Sequence, residues 1–325
     1  MAPFLSSGTL GDALSKLSIV TWHKGFDSVP AAARRVFSVR MTSGKTSEHD
    51  SWDYDGFAKT TGEGADYSIS DPIKGDSLTL TQAKVTDSFE ISEEAIDYDR
   101  YNQTRSFQGM LGLGKRCPKR MELDLQLFLM SFGFGTSYTD QDGATVSTTG
   151  ADALAIYSNS HTINASSSTY DNLQSTAFGQ TGLEAAEDLF RSFINHDGQL
   201  VQVVPDTIIT TSKANLVNLV REYNKGMNHI EDANRGINVY QGRYDHVVFD
   251  FGDSDANGAR DSSKDDYWLL ASLANNHHAI LEVSQAPRVR DAGRVQRNQN
   301  MLFITDTRYA YGVLGNQWIV GSNTA

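Results

Sequence analysis

The hydrophobic pattern of this chain is interrupted by a long polar stretch. Between Ser43 and Ser77, apart from tyrosine and tryptophan, the hydrophobic residues larger than alanine are Phe57, Ile69 and Ile73. A segment this polar cannot bury enough apolar surface to offset the entropy lost on ordering it. It is therefore either disordered or an arm that becomes ordered by lying on another subunit.

The sequences on both sides of this stretch favour the arm. Residues 36–41 enter it with β-branched and aromatic side chains, and residues 78–86 leave it with Leu78, Leu80 and Val85. These patterns are typical of the two antiparallel strands of a long hairpin. A long projecting hairpin in a globular chain is an assembly device more often than an active-site feature.

Three segments have the apolar spacing of helices. Residues 118–132 place Met121, Leu125 and Phe128 at a spacing of 3.6, and Pro118 suits the first helical position. Alternating leucines in this segment also fit a strand, but its residues are good helix formers, which favours helix. The other predicted helices are residues 183–195 and the segment that carries Leu216, Leu219, Val220 and Tyr223.

The remaining pattern predicts an arm and several short strands. Residues 1–35 contain one weak helical pattern, so we predict an arm that packs on something else and is not a core element. The order of helices and strands lacks the strict βαβ repeat, which predicts an α+β fold. The predicted strands are residues 200–204, 208–211, 246–251, 267–271, 279–283 and 301–305.

Composition limits the classes of function. With 325 residues and 39% hydrophobic content, the chain is long enough for one large or two medium domains. The net charge is −12 and the basic residues are spread out, so we expect no grip on a nucleic-acid backbone. No secretion signal or membrane span is visible. The single cysteine, Cys117, excludes an intrachain disulfide and indicates a reducing compartment.

One glycine-rich segment, residues 109–116, matches a phosphate-binding loop through Lys115. Arg116 stands where a serine or threonine must supply the magnesium-ligating hydroxyl, and no buried strand precedes the segment. A glycine turn before a helix is the simpler interpretation. A P-loop-like nucleotide-binding enzyme stays open as an alternative.

A second weak motif consists of Asp253, Asp255 and Asn257, which match the first half of a calcium loop. The twelfth position is Lys264, where such a loop needs a bidentate glutamate. A polar turn is therefore favoured. A calcium-stabilised tail or adhesion structural protein stays open as a second alternative. No catalytic or cofactor-binding residue is predicted.

Several local stretches resemble a known family when they are taken in order. They are residues 154–161, 171–173, 197–200, 205–209 and 266–270. Together with the arm, the polar hairpin and the long helix before them, they resemble the Mu-like major head subunits of tailed bacteriophages, which have the Hong Kong ninety-seven fold. The resemblance covers residues 37–318.

The resemblance implies a division of the chain into five parts. These are an N-terminal arm (1–37), an extended loop formed by a long β-hairpin (38–88), a peripheral domain with a spine helix (89–153), an axial domain with a mixed central sheet (154–285) and return strands of the peripheral domain (286–325).

The resemblance also implies a structural role and no enzyme activity. The chain would be a major capsid protein that self-assembles as hexamers and pentamers into an icosahedral shell in the host cytoplasm. The shell would enclose double-stranded DNA without specific binding, and the other partners would be portal, scaffold and decoration proteins, with no membrane. The implied contacts between subunits are Lys45, Trp52, Tyr54, Phe57, Lys59, Tyr67, Ile69 and Lys74. We predict no covalent crosslinking through these lysines.

Overall fold

The computed structural model of the chain describes residues 18–53, 56–67, 69, 71–92, 103–163, 169–195, 197–226, 238–274, 278–294 and 300–324. Predictions on other residues, including the contact residue Tyr54 and the first seventeen residues of the predicted arm, lie outside the described residues. In the described ranges no helix is both long and apolar enough to cross a membrane.

The long predicted helix is present but begins much earlier than expected. The helices are α1 (residues 18–27), α2 (Gln103–Gln126), α3 (Gln180–Arg191) and α4 (Ala214–Lys225). Helix α2 continues into a π-helical turn, Leu127–Ser131. The predicted start at Pro118 is wrong, because Pro118 lies inside α2.

Close packing against α1 explains why the first half of α2 contains glycines, which prevented its prediction as a helix. A Cβ on Gly25 would lie 2.3 Å from the carbonyl oxygen of Leu111, and a Cβ on Gly114 would lie 2.2 Å from that of Trp22. No side chain fits at these distances, so glycine is required where the two helices cross. The glycines lower helix propensity and interrupt the apolar pattern, which removed the sequence signal for a helix.

The second half of the predicted N-terminal arm belongs to the core, which corrects the prediction. Trp22 is buried against α2, and Ala33, Val36 and Phe37 are buried in the main core of the molecule. The segment has few apolar residues, but its largest ones face inward. The small number of apolar residues in this segment therefore led to the wrong prediction that it lies outside the core.

The first of the two large sheets has four strands. In sheet order they are β1 (Ser38–Met41), β13 (Ala279–Arg294), β14 (Met301–Val313) and β4 (Ala83–Ile91). Strand β1 runs parallel to β13, while the other two pairs are antiparallel. Helix α2 packs on one face of this sheet, where Phe128 contacts Tyr311 with ring centroids 5.1 Å apart.

The second large sheet has five strands. In sheet order they are β11 (Asp245–Phe249), β10 (Thr207–Thr211), β12 (Trp268–Ala271), β15 (Ile319–Ser322) and β9 (Leu173–Gln174). Strands β10 and β12 are buried on both faces. Ile209 and Leu269 face the cluster around the end of α2, and Ile208 and Leu270 face α3 and α4.

The structure bears on the remaining predicted strands in different ways. The strands predicted at 208–211, 246–251 and 267–271 are confirmed within two residues. The strand predicted at 200–204 is wrong, because Leu200 makes one isolated bridge to Ile194 and its side chain is largely exposed. Short hairpins join β5 (Ser137–Thr139) to β6 (Thr145–Ser147) and β7 (His161–Thr162) to β8 (Thr169–Tyr170).

Residues 286–325 were predicted to return to the peripheral domain, but they divide between the two large sheets. Strand β14 lies in the four-stranded sheet, but β15 pairs with β12 in the five-stranded sheet. The division into peripheral and axial domains stays a prediction, and this pairing favours grouping β15 with the five-stranded sheet. The hydrophobic pattern of a strand identifies a buried face, but it does not identify the neighbouring strand.

His246 on β11 gives the fold a defined sensitivity to acid. Its Nε2 lies 2.9 Å from Thr210 Oγ1. Burial and the nearby charge of Arg221 lower the pKa of His246 from 6.5 to about 4. The unfolded chain therefore binds a proton at His246 that the folded chain excludes, and the free energy of unfolding falls as the pH drops through this window.

We expect His246→Gln to reduce the loss of stability between pH 6.5 and pH 4. The effect is about 1–2 kcal/mol once the shift is discounted for the partial exposure of the side chain. Urea denaturation at several pH values measures it, with His23→Gln on the exposed side of α1 as the control. Identical pH profiles for wild type and His246→Gln would contradict this prediction.

Candidate functional site: the projecting hairpin and its root

The hairpin predicted over residues 38–88 is present in a shorter form. Strand β2 (Thr46–Asp53) pairs antiparallel with β3 (Ile73–Thr81), from Thr46 opposite Thr81 to Asp53 opposite Ile73. The outer segments belong to the four-stranded sheet, because β1 pairs with β13 and β4 with β14. The boundaries 38–88 are therefore too wide, since both kinds of strand have the same alternating pattern.

Apolar contacts fix the root of the hairpin to the four-stranded sheet. Leu78 and Leu80 of β3 pack in a cluster with Ile280 and Ala310. A Cβ on Gly312 would lie only 2.8 Å from Leu80 Cδ2, so a glycine in β14 makes room for the root. The hairpin therefore leaves the sheet from a tightly packed base.

A buried carboxylate holds the polar side of the root. Glu282 on β13 accepts hydrogen bonds from Ser47 Oγ, from His49 Nε2 at 2.7 Å and from Gln82 Nε2 at 3.3 Å. Arg40 NH1 lies 3.1 Å from His49 Nδ1. A guanidinium only donates, so Nδ1 accepts and Nε2 carries the proton that His49 donates to Glu282.

The far end of the hairpin exposes large apolar side chains. The exposed fractions are 53% for Trp52, 78% for Phe57, 90% for Tyr67 and 89% for Ile69. These side chains lie on a two-stranded hairpin whose described end, residues 56–67, is exposed. Large apolar side chains grouped on an exposed surface are typical of sites that contact another molecule.

The predicted contact lysines have different surroundings. Lys45 and Lys59 are exposed. Lys74 forms an ion pair with Asp50 at 3.0 Å across the two strands. A hydrogen bond from Ser77, together with Lys74, lowers the pKa of the Asp50 carboxyl. Lys74 therefore supports the hairpin itself, while the roles of Lys45 and Lys59 in contacts stay predictions.

A buried polar cluster that the sequence did not predict lies beside the hairpin. His161 Nδ1 is 2.5 Å from Asp152 Oδ2, and His161 Nε2 is 3.1 Å from Asn172 Oδ1. Asn172 Nδ2 donates to the Ile319 carbonyl of β15 at 3.2 Å. Burial and the charge of Asp152 raise the pKa of Asp76 on β3. His161 and Asn172 come from two segments that carry the family resemblance, which was the available signal.

Residues 109–116 form neither the glycine turn that the sequence favours nor a phosphate-binding loop. The whole segment is helical within α2, so it forms no loop around an anion. Gly109 serves packing, because a Cβ there would lie 2.2 Å from Cζ of Phe89. Cys117 lies in the middle of the helix, where burial raises the pKa of its thiol. The nucleotide-binding alternative therefore loses its structural basis.

The calcium alternative is also not favoured. The carboxylate of Asp255 accepts hydrogen bonds from the backbone N–H groups of Asn257 at 2.9 Å and Ala259 at 2.8 Å, so it closes a polar turn. The guanidinium of Arg260 lies 3.6 Å from Asp253 and 2.5 Å from Asp265. A cationic side chain therefore lies beside Asp253, and the backbone N–H groups of the turn already occupy the carboxylate of Asp255.

We expect Glu282→Gln to loosen the root without unfolding the sheet. The substitution keeps the shape but removes the charge that three donors share, a loss of about 1.5–3 kcal/mol. Amide hydrogen exchange in β2 and β3 should then rise by roughly tenfold or more. Glu48→Gln on the exposed side of β2 is the matched control. Unchanged exchange in Glu282→Gln would show that the apolar root alone holds the hairpin.

No family model and no curated protein matches the sequence. Solved structures do match the fold. The capsid of the cyanophage P-SCSP1u aligns with a TM-score of 0.55 and 9% identity, covering 89% of this chain and 86% of that one. The capsid of a native GTA particle gives 0.54 and 11%, with 91% of each chain covered.

A structure from Gordonia phage Cozz gives a TM-score of 0.53 with 10% identity, covering 91% of this chain and 86% of that one. The alignments span nearly the whole of each chain, so they compare complete architectures. At these identities they establish the fold alone. The fold class predicted from the sequence is confirmed: this chain has the α+β fold of phage capsid proteins.

Proposed function

We propose that this chain is a major capsid protein, which self-assembles into the icosahedral shell around phage DNA. The observation that carries the proposal is the hairpin. It is firmly rooted in a capsid-protein fold, and it exposes aromatic and aliphatic side chains at its far end. A subunit that acts alone gains nothing from such an arm, whereas a shell subunit buries it on a neighbour.

The geometry of a shell supports this function. Rings close through heterologous contacts, in which one surface of a subunit meets a different surface of the next. A projecting arm and a separate receiving surface satisfy that requirement. Hexamers and pentamers are the rings that an icosahedral shell requires, and the contact residues would be Trp52, Phe57, Lys59, Tyr67 and Ile69, together with Lys45, Lys74 and Tyr54.

The proposal assigns the two sheets to two domains. The four-stranded sheet with α2 would form the peripheral domain, predicted as residues 89–153 and 286–325. The five-stranded sheet with α3 and α4 would form the axial domain, predicted as residues 154–285, to which we now add β15. The axial domains would meet at the centre of each ring.

The proposal places the protein in the virion after assembly in the host cytoplasm. Its main partners would be further copies of itself, with portal, scaffold and decoration proteins in the same particle. The net charge of −12 opposes adhesion of DNA to the shell, so DNA would be enclosed without specific binding. The acidic composition and the proposed role are therefore compatible.

Removing the end of the hairpin should abolish assembly and leave the fold intact. Asp53 and Ile73 are directly opposite in the register, so an Asn-Gly turn can replace residues 54–72. We expect a monomer with unchanged thermal stability that forms no rings or shells. Sedimentation velocity followed by negative-stain imaging measures the outcome.

A second variant separates the chemistry of the arm from its length. Replacing Trp52, Phe57, Tyr67 and Ile69 with serine keeps the hairpin but removes its exposed apolar surface. We expect the same loss of assembly. Particles of normal size and yield from both variants would contradict the proposed role of the hairpin.

A further inference from the structure

The face of the four-stranded sheet that points away from α2 carries a group of cations. Thr305 and Tyr309 of β14 face α2, because Thr305 contacts Cys117 and Tyr309 donates to Asp124 at 2.6 Å. Side chains alternate along a strand, so the even-numbered residues of β14 in this stretch face the other way. We refer to the cations on that side, Lys84, Arg288, Arg290 and Arg308, as the cationic strip.

The strip combines buried and exposed interactions. Asp306 is buried, and both Arg288 at 3.0 Å and Arg290 at 3.1 Å form ion pairs with it. About half of each arginine side chain stays exposed. Lys84 and Arg308 are exposed and directly opposite each other in the pairing of β4 with β14.

This arrangement is costly for an isolated subunit. Like charges directly opposite on neighbouring strands destabilise a sheet, by a few tenths of a kcal/mol up to about 1 kcal/mol. Asp306 pairs with Arg288 and Arg290, and Lys84 and Arg308 add two exposed positive charges to the same face of a chain whose net charge is −12. An anionic partner would remove the repulsion between Lys84 and Arg308.

The exposed cations of the strip suit an acidic segment of a partner. A groove of about 570 Å³ at the edge strand β4 is not part of this face, because it is lined by α2 residues such as Arg116 and Leu123 and therefore lies on the α2 side of the sheet.

The end of the hairpin is such an acidic segment. Residues 53–72 contain five carboxylates and one lysine, which gives a net charge of −4: Asp53, Asp55, Glu63, Asp66 and Asp71 against Lys59. The same segment carries Phe57, Tyr67 and Ile69. In the subunit itself, its described residues 56–67, 69 and 71–72 are exposed and do not cover the strip.

We propose that the cationic strip receives the acidic end of the hairpin from a neighbouring copy of this chain. The hairpin leaves its own subunit from the same face of the sheet that carries the strip, because Leu78 and Leu80 pack over Gly312 and Ala310. An arm that runs along this side of the sheets therefore reaches the strip of the next subunit. This inference rests on the proposed shell function and identifies the surface that the arm contacts.

Charge reversal at the exposed half of the strip tests the contact. Lys84→Glu with Arg308→Glu leaves the two arginines on Asp306 in place, so the fold should survive. We expect the assembled fraction to fall by about tenfold or more, because like charges now face each other across the contact. Arg191→Glu with Lys225→Glu, on exposed positions of α3 and α4, makes the same change in net charge and is the matched control.

The reciprocal reversal gives the decisive result. A triple variant, Glu63→Lys with Asp66→Lys and Asp71→Lys, reverses the charge of the hairpin end. By itself this variant should prevent assembly. Combined with the reversed strip, it should restore assembly to within about twofold of wild type. The strip variant and the hairpin variant should each fold but fail to assemble. If the combined variant then also fails to assemble, the strip is not the receiving surface. Normal assembly of the reversed strip would lead to the same conclusion.

Two further outcomes separate this inference from the proposed function. If removal of residues 54–72 abolishes assembly but reversal of the strip does not, the shell function stands and this inference fails. If the reversed strip forms complete shells that no longer retain DNA, the strip faces nucleic acid and the inference again fails. Normal shells after removal of residues 54–72 would overturn the role of the hairpin itself.

Discussion

The structure depends on the burial of the second half of helix α2 between the two large sheets. Every residue from 121 to 131 is buried, although three of them are Glu122, Asp124 and Gln126. Each polar side chain is partnered: Glu122 accepts the backbone N–H of Ala33 at 2.8 Å, and Gln126 accepts that of Phe251 at 2.7 Å. These bonds tie the N-terminal segment and the second sheet to one helix.

This central helix explains how a thin polar arm can be held in a defined direction. The four-stranded sheet packs on α2, and the hairpin is fixed to the opposite face of that sheet by an apolar cluster and by Glu282. The arm therefore inherits its orientation from the core. The described residues of its far end are exposed, so its polar and aromatic side chains are available for contact with another molecule.

The sequence predicted the fold class and several buried strands, including β10 and β12, but it left the second half of α2 ambiguous and failed where two helices pack closely. Residues 121–132 fit both a helix and a strand, because a helix surrounded by core has no polar face to mark its period. The crossing of α1 and α2 was not predicted from Gly25 and Gly114, because a glycine can indicate that another segment packs closely but does not identify that segment. The register of β1 on β13 was not predictable, because parallel partners far apart in sequence leave no local signal.

The candidate site was predicted in composition but not in geometry. A polar stretch with Trp52, Phe57 and Tyr67 indicates contact with another chain. The proposed receiving surface combines β4 with β13 and β14, and Lys84 of β4 is more than two hundred residues away in sequence from the arginines of the other two strands. Such a surface becomes visible only when the sheet is known. Burial of the apolar side chains of the arm would supply affinity between subunits. The localised charges would select one position of the arm on its neighbour, although the subunits repel each other overall. A strongly acidic subunit would therefore gain specificity by placing four of its cations together on one face of a sheet.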